Sequence, residues 1–137
     1  MRKLATVAVA AGLFLGGAGV AVADGWHQIP NLVTKGAAFD SAAYTWEPKG
    51  RNHGGFRFKG LLADRDGNDG HNVSVEVRVN GYGWNTFKGV QNKKVALDKV
   101  VYDGAAQLTT DAWIRLCRDR GSLRPDNCSQ TEHYSRG

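Results

Sequence analysis

The chain has 137 residues with 18 Lys and Arg against 13 Asp and Glu, a formal charge of +5. Arg2 and Lys3 belong to the N-terminal leader described next, and without them the excess falls to 16 basic over 13 acidic residues, about +3. That excess is mild and unclustered: Lys93-Lys94 reads as a solvated turn, and the series Arg115, Arg118, Arg120 and Arg124 is broken by Asp119 and Asp126. A phosphate-tracking surface needs clustered cations, so no nucleic-acid partner is expected.

Met1-Arg2-Lys3 is a short positive head, Leu4 to Leu15 an apolar stretch, and Ala21-Val22-Ala23 a small-residue end. That order is what a signal peptidase reads, and it predicts a cleavable secretory signal over residues 1–23 with cleavage before Asp24. Leu4 to Ala23 is about long enough to span a bilayer, but its centre is Ala and Gly, which favours cleavage over an anchor. The first cysteine is Cys117, so a lipid anchor at the cleavage point is not expected. The expected product is secreted, extracellular and not inserted in a membrane. Its length suits one domain that buries a core of its own.

Residues 24–38 read as a loosely ordered arm and residues 39–137 as the single domain, ending in a polar tail after Ser129. Ala43 to Glu47 is a weak strand candidate, and Phe56-Arg57-Phe58-Lys59 alternates apolar and polar. Val73 to Val79 is the clearest strand, four valines separated by three polar residues, with one face apolar and the other wet. Tyr82 to Lys88 and Lys94 to Tyr102 are weaker runs, and Trp113 to Cys117 is another, with Ala112, Ile114 and Leu116 on one face. About six or seven short strands separated by Gly, Pro, Asn and Asp predict an all-β, antiparallel β-sandwich, Ig-like or jelly-roll-like.

Cys117 and Cys128 in an exported chain predict one disulfide, closing a turn-rich loop and adding about 3 kcal/mol of stability in the chain-entropy model. No CxxC and no finger-like His spacing supports a redox or zinc site.

Asp69-Gly70-His71, the valine strand, Gly81-Tyr82-Gly83-Trp84, Cys117-Arg118-Asp119-Arg120-Gly121 and Pro125-Asp126-Asn127-Cys128 together resemble a family of small secreted proteins of streptomycete-type actinobacteria. The resemblance covers about residues 56–135. It implies a β-sandwich and an extracellular compartment, and carries over no catalytic residue.

Three segments could carry function. Asp64, Asp66 and Asn68, followed by Asp69, place oxygen ligands as a calcium loop begins, but position 6 is Asp69 where Gly is needed and position 12 is Val75 where Glu is needed. The same residues suit a tight hairpin turn, which is the preferred expectation; calcium is the second, and no other cofactor is expected. Tyr82, Trp84 and Phe87 lie in a glycine-rich strand, with Tyr82 and Trp84 expected on one face and Phe87 on the other. They could form a platform for a sugar ring or serve as ordinary core and cross-strand residues. Trp113, beside the apolar run and the disulfide, is expected to pack against them. The loop closed by the disulfide carries Arg120, Leu123 and Arg124, which would suit a secreted inhibitor inserting into a protein partner's cleft, or the loop merely ties two strands.

For hydrolysis the available groups are His27, His53, His71 and His133 with Glu47, Glu76 and Glu132, and Arg115 as a phosphate clamp. No spacing selects a set, and no G-x-S-x-G is present, so no catalytic residue is assigned. The expectation is a secreted, non-enzymatic binding protein for an extracellular polysaccharide or a protein partner. A small nuclease-like hydrolase is the alternative from another class.

Overall fold

Side chains on a strand alternate between its two faces, so a chain of short strands closes a core when the apolar faces of two sheets meet. The computed structural model describes residues 25–66, 71–106, 108–119 and 127–137, and among these it forms ten strands. They are β1 (His27–Gln28), β2 (Leu32–Thr34), β3 (Ala37–Trp46), β4 (Phe56–Asp64), β5 (Val73–Val79), β6 (Asn85–Lys88), β7 (Lys94–Val101), β8 (Asp111–Arg118), β9 (Asn127–Cys128) and β10 (Glu132–Ser135). The leader, the Gly67–Gly70 stretch and residues 120–126 lie outside the described residues. No helix among the described residues is long and apolar enough to cross a membrane.

All pairings are antiparallel. The first sheet runs β1-β3-β4-β7 with β2 also on β3, and the second runs β10-β8-β5-β6 with β9 also on β8. The two sheets pack as an antiparallel sandwich, as expected from the alternation. Phe39, Phe56, Phe58 and Leu62 from the first sheet meet Val73, Val75, Val77, Val79, Ile114 and Leu116 from the second, all fully buried. Each such side chain contributes roughly 1.5–3 kcal/mol by leaving water.

β5 spans the whole valine run, whereas β3 begins six residues before the strand expected there. Its register slips between Asp40 and Ala43, and Ser41 takes φ +53°. Phe39 and Ala42 consequently both point inward, and the buried phase moves from odd to even positions (Ala42, Tyr44, Trp46). Gly60 on the neighbouring strand lets the Phe39 ring lie close, since a Cβ there would stand 2.5 Å from Phe39 Cζ.

The expectation of a loose arm over residues 24–38 is corrected. β1 pairs with β3 at His27↔Tyr44, β2 pairs with β3 at Leu32↔Phe39, and the Ile29 N–H donates to the Ala42 carbonyl at 2.9 Å. Ile29 and Leu32 are buried, so two apolar anchors and backbone pairing order this segment without any alternating run. The polar tail is likewise a strand: β10 pairs with β8 from Glu132↔Ile114 to Ser135↔Asp111.

Tyr134 of β10 crosses the sandwich and stacks on Tyr44 at 4.2 Å between ring centroids. Its buried hydroxyl has no hydrogen-bond partner, and burial, reinforced by Glu132 and Tyr44, pushes its pKa up to about 12. An unfolded tyrosine ionises near pH 10, so between about pH 10 and about pH 12 the unfolded chain releases a proton that the native one keeps, and stability falls. Tyr134→Phe is expected to leave stability at neutral pH undiminished and to flatten this alkaline decline. Urea midpoints of both proteins at about pH 8 and about pH 11 check it. An equal decline in both would place the alkaline sensitivity elsewhere.

Candidate functional site

The outward residues of the second sheet include Ser74, Glu76 and Arg78 on β5, Thr86 and Lys88 on β6, Asp111, Trp113 and Arg115 on β8, and His133 and Ser135 on β10, by alternation with the buried set. Register places Arg78 opposite Trp113 and Trp113 opposite His133. Trp84, the residue before β6, completes the row: the Arg78 guanidinium carbon stands 5.1 Å from the Trp84 ring and 4.8 Å from the Trp113 ring. On the far side of Trp113 the His133 ring lies parallel within 3° at 4.4 Å. Three strands and the residue leading into β6 thus carry one continuous stack, Trp84–Arg78–Trp113–His133, over three steps of about 4.8 Å each, roughly 14 Å.

The charges flanking the row are paired. Arg115 lies 4.0 Å from the Trp84 centroid and holds Glu76 Oε1 through Nη2 at 2.7 Å and Nε at 2.9 Å. Asp111 Oδ1 meets His133 Nε2 at 3.0 Å and accepts from Ser135 Oγ at 2.9 Å, while Oδ2 accepts from Thr110 Oγ1 at 3.0 Å. Hydrogen bonds from Ser135, His133 and Thr110 hold the Asp111 carboxyl below the usual carboxylate range. Asn80, at φ +52°, accepts the Thr110 and Asp111 N–H groups on Oδ1 and so fixes the start of β8.

Of the expected aromatic site, Trp84 is on this face. Phe87 is not: it pairs with Val75, whose side points inward, and it meets Phe58 edge-on at 5.4 Å, so it packs against the core. Tyr82 precedes β6 in the turn after Gly81, half exposed, with its hydroxyl hydrogen-bonded to Asp103, which raises its pKa. Trp113 does not pack against the apolar run. It sits between Ala112 and Ile114, both fully buried, and a residue between two inward ones must face out. Trp113, His133 and Arg78 are the members that sequence reasoning did not bring together. Protein-family models, curated proteins and solved structures give no match to this chain. Geometry alone therefore carries the argument about function.

The disulfide joins Cys117 and Cys128, which face each other across β8 and β9. Arg120, Leu123 and Arg124 of the loop it closes lie outside the described residues, as do Asn68 and Asp69 of the acidic segment. Asp64 accepts the N–H of Asp66 at 3.0 Å and that of Asn92 at 2.9 Å, and Asp66 Oδ2 lies 3.6 Å from Arg118 Nη2. The expected hairpin between Leu61-Leu62 and the valine strand is corrected: β4 and β5 lie in different sheets, and Asp64 instead ties the end of β4 to the segment before β7 through Asn92. Among the described residues no group of three or more His, Cys, Asp or Glu side chains is gathered for a metal ion.

The titratable groups considered for hydrolysis are dispersed. His27 stacks on Tyr44 and His53 on Tyr102, with His53 Nδ1–H donating to the Ala106 carbonyl at 2.7 Å. Glu47 is buried near Asn52 Nδ2. Glu76, Arg115 and His133 do share the outer face, but Glu76 is bound to Arg115 and His133 to Asp111.

On the opposite side of the molecule Trp26 is exposed, with Lys59 Nζ 4.0 Å and Arg57 5.3 Å from its ring centroid. It is one aromatic beside an Arg57–Asp98 ion pair at 2.8 Å, without the repeated rungs of the second sheet.

Proposed function

We propose that the protein is an exported, non-enzymatic polysaccharide-binding protein whose contact surface is the outer face of the second sheet. The observation that carries this reading is the Trp84–Arg78–Trp113–His133 row. Rings stacked along a row present their edges to solvent, and an indole edge combines apolar C–H surface with one N–H donor. Neither indole N–H has a hydrogen-bond partner among the described residues. Sugar hydroxyls accept hydrogen bonds and sugar rings carry apolar C–H faces, so both halves of the edge find a complement. The rungs lock one another, so little side-chain entropy remains to be lost when a ligand binds. Export rests on the leader pattern of residues 1–23 and is consistent with the Cys117–Cys128 bond, which persists in oxidising compartments.

The test is retention on insoluble peptidoglycan, chitin and cellulose. Trp84→Ala and Trp113→Ala are each expected to weaken binding at least about tenfold, in the range that loss of an aromatic anchor produces. Trp84 lies outside the strands, so its replacement should leave the melting curve unchanged. Undiminished retention of the double variant, or no retention of the parent protein on any polymer, would overturn the reading.

A further inference from the structure

Within the row and its immediate neighbours, Arg78 differs from the other polar groups among the described residues; Lys88, the other cation on this face without an ion pair there, is exposed at the far end of β6 opposite Ser74. Arg115 is matched by Glu76 and His133 by Asp111, whereas the guanidinium of Arg78 makes no ion pair or hydrogen bond to the described residues. Its Nε is buried without an acceptor among the described residues, and an indole lies on either side of it. A desolvated, unpaired cationic donor is costly, and the aromatic faces offset part of that cost by cation–π attraction while fixing the guanidinium plane. An arginine held in this way offers its remaining N–H groups in a rigid fork, the geometry that accepts a carboxylate through two parallel hydrogen bonds.

We infer that Arg78, clamped between Trp84 and Trp113, is the receptor for a carboxylate carried on the bound polysaccharide, which makes the ligand an acidic, uronate-type glycan. This inference rests on the polysaccharide-binding reading and adds its ligand class. Charge complementarity selects such a polymer over a nucleic acid. The face holds the carboxylates of Glu76 and Asp111 beside its cations, and a phosphate at every step of a backbone would meet both, whereas nucleic-acid surfaces present clustered, unneutralised cations. A glycan whose charged sugar alternates with a neutral one needs a single unpaired cation with donor-bearing rings on either side. Trp84, Arg78 and Trp113 supply that arrangement.

The test compares hyaluronan, in which uronate alternates with a neutral sugar, with the same polymer after its carboxyls have been reduced to alcohols, by calorimetry at low and moderate salt. The protein is expected to bind the acidic form at least about tenfold more tightly, within the range for a charge-assisted pair, and the advantage should shrink as salt rises. Arg78→Gln should abolish the advantage, so that the variant binds hyaluronan no more tightly than it binds the reduced polymer, whatever the variant's own affinity for the latter. Arg78→Lys should recover only part of it, since an ammonium keeps the charge and loses the fork. Melting curves of both variants report their folding. Equal affinity for the two polymers, or an advantage that survives Arg78→Gln, would overturn the inference and leave the broader reading standing if Trp84→Ala still weakens binding. Tighter binding of poly(U) than of hyaluronan would overturn the inference in favour of a nucleic-acid ligand. Failure to bind hyaluronan, its reduced form and the insoluble polymers would remove both readings together.

Discussion

Phe56→Ala is expected to destabilise the protein by about 3–5 kcal/mol, the largest loss for any single side chain considered, because it empties the point where the sheets are joined by stacked rings. Phe56 is fully buried at the start of β4. It stacks with Tyr44 at 5.3 Å, meets the Trp46 ring edge-on at 5.3 Å and lies 6.3 Å from Phe58, all in the first sheet. From the second sheet Tyr134 stacks parallel to it at 6.3 Å. Removing the ring takes away the transfer free energy of a phenyl group and leaves a cavity walled by large flat side chains. Such walls cannot collapse without losing their own stacking, so the cost should lie towards the upper end of the usual range. Urea unfolding measures it, and the melting temperature should fall by roughly 15 °C or more. A loss below about 1 kcal/mol would mean that Tyr44 and Tyr134 close over the gap and that the aromatic joint is plastic.

What made parts of this architecture legible from sequence was alternation, and what hid the rest was register. Val73 to Val79 announces its strand because each inward residue is a valine and each outward one is polar. The β3 strand hides its first half because the bulge near Ser41 resets the buried phase, so no single period of two runs through Ala37 to Trp46. β1, β2 and β10 hide more completely. Each is short, and each depends on a neighbouring strand for its hydrogen bonds and on one or two anchors such as Ile29, Leu32 or Tyr134. The cysteines needed no register, since two thiols in one chain admit a single pairing.

The candidate site divides in the same way. Alternation already puts Arg78 on the wet side of the valine strand, and the same rule applied strictly to Ala112-Trp113-Ile114 puts Trp113 outside. Proximity to an apolar run is the weaker guide, and there it misled. That Trp113 then lies between Arg78 and His133 is a property of two cross-strand registers, β5 with β8 and β8 with β10, which no local pattern encodes. Phe87 illustrates the converse. Its inward direction follows from pairing with Val75, so an aromatic in a glycine-rich strand became core once its partner was fixed.

Replacing both Cys117 and Cys128 by alanine is expected to cost about 3 kcal/mol, through the larger conformational freedom of the unfolded chain. The two cysteines are 11 positions apart and directly opposed across β8 and β9, so the bond ties the end of a central strand to a two-residue one. Without it β9 keeps the Arg118↔Asn127 pairing and the adjoining Ser129 contacts, the Ser129 N–H donating to the Leu116 carbonyl at 2.7 Å and Ser129 Oγ accepting from the Leu116 N–H at 3.0 Å. These bonds preserve the native geometry, so the loss should appear as a lower denaturant midpoint, with a slope no smaller than the parent's because the unlinked unfolded chain is less compact. The same segment leads into β10, which carries His133 on the outer stacked row and Tyr134 in the core. Amide exchange across residues 127–137 should therefore quicken more than that of β5, because the end of the chain opens locally at less cost than the whole sandwich. A variant that loses less than about 1 kcal/mol with uniform exchange would show that closing this loop restricts the unfolded chain very little, and that β9 and β10 are held by the sheet alone.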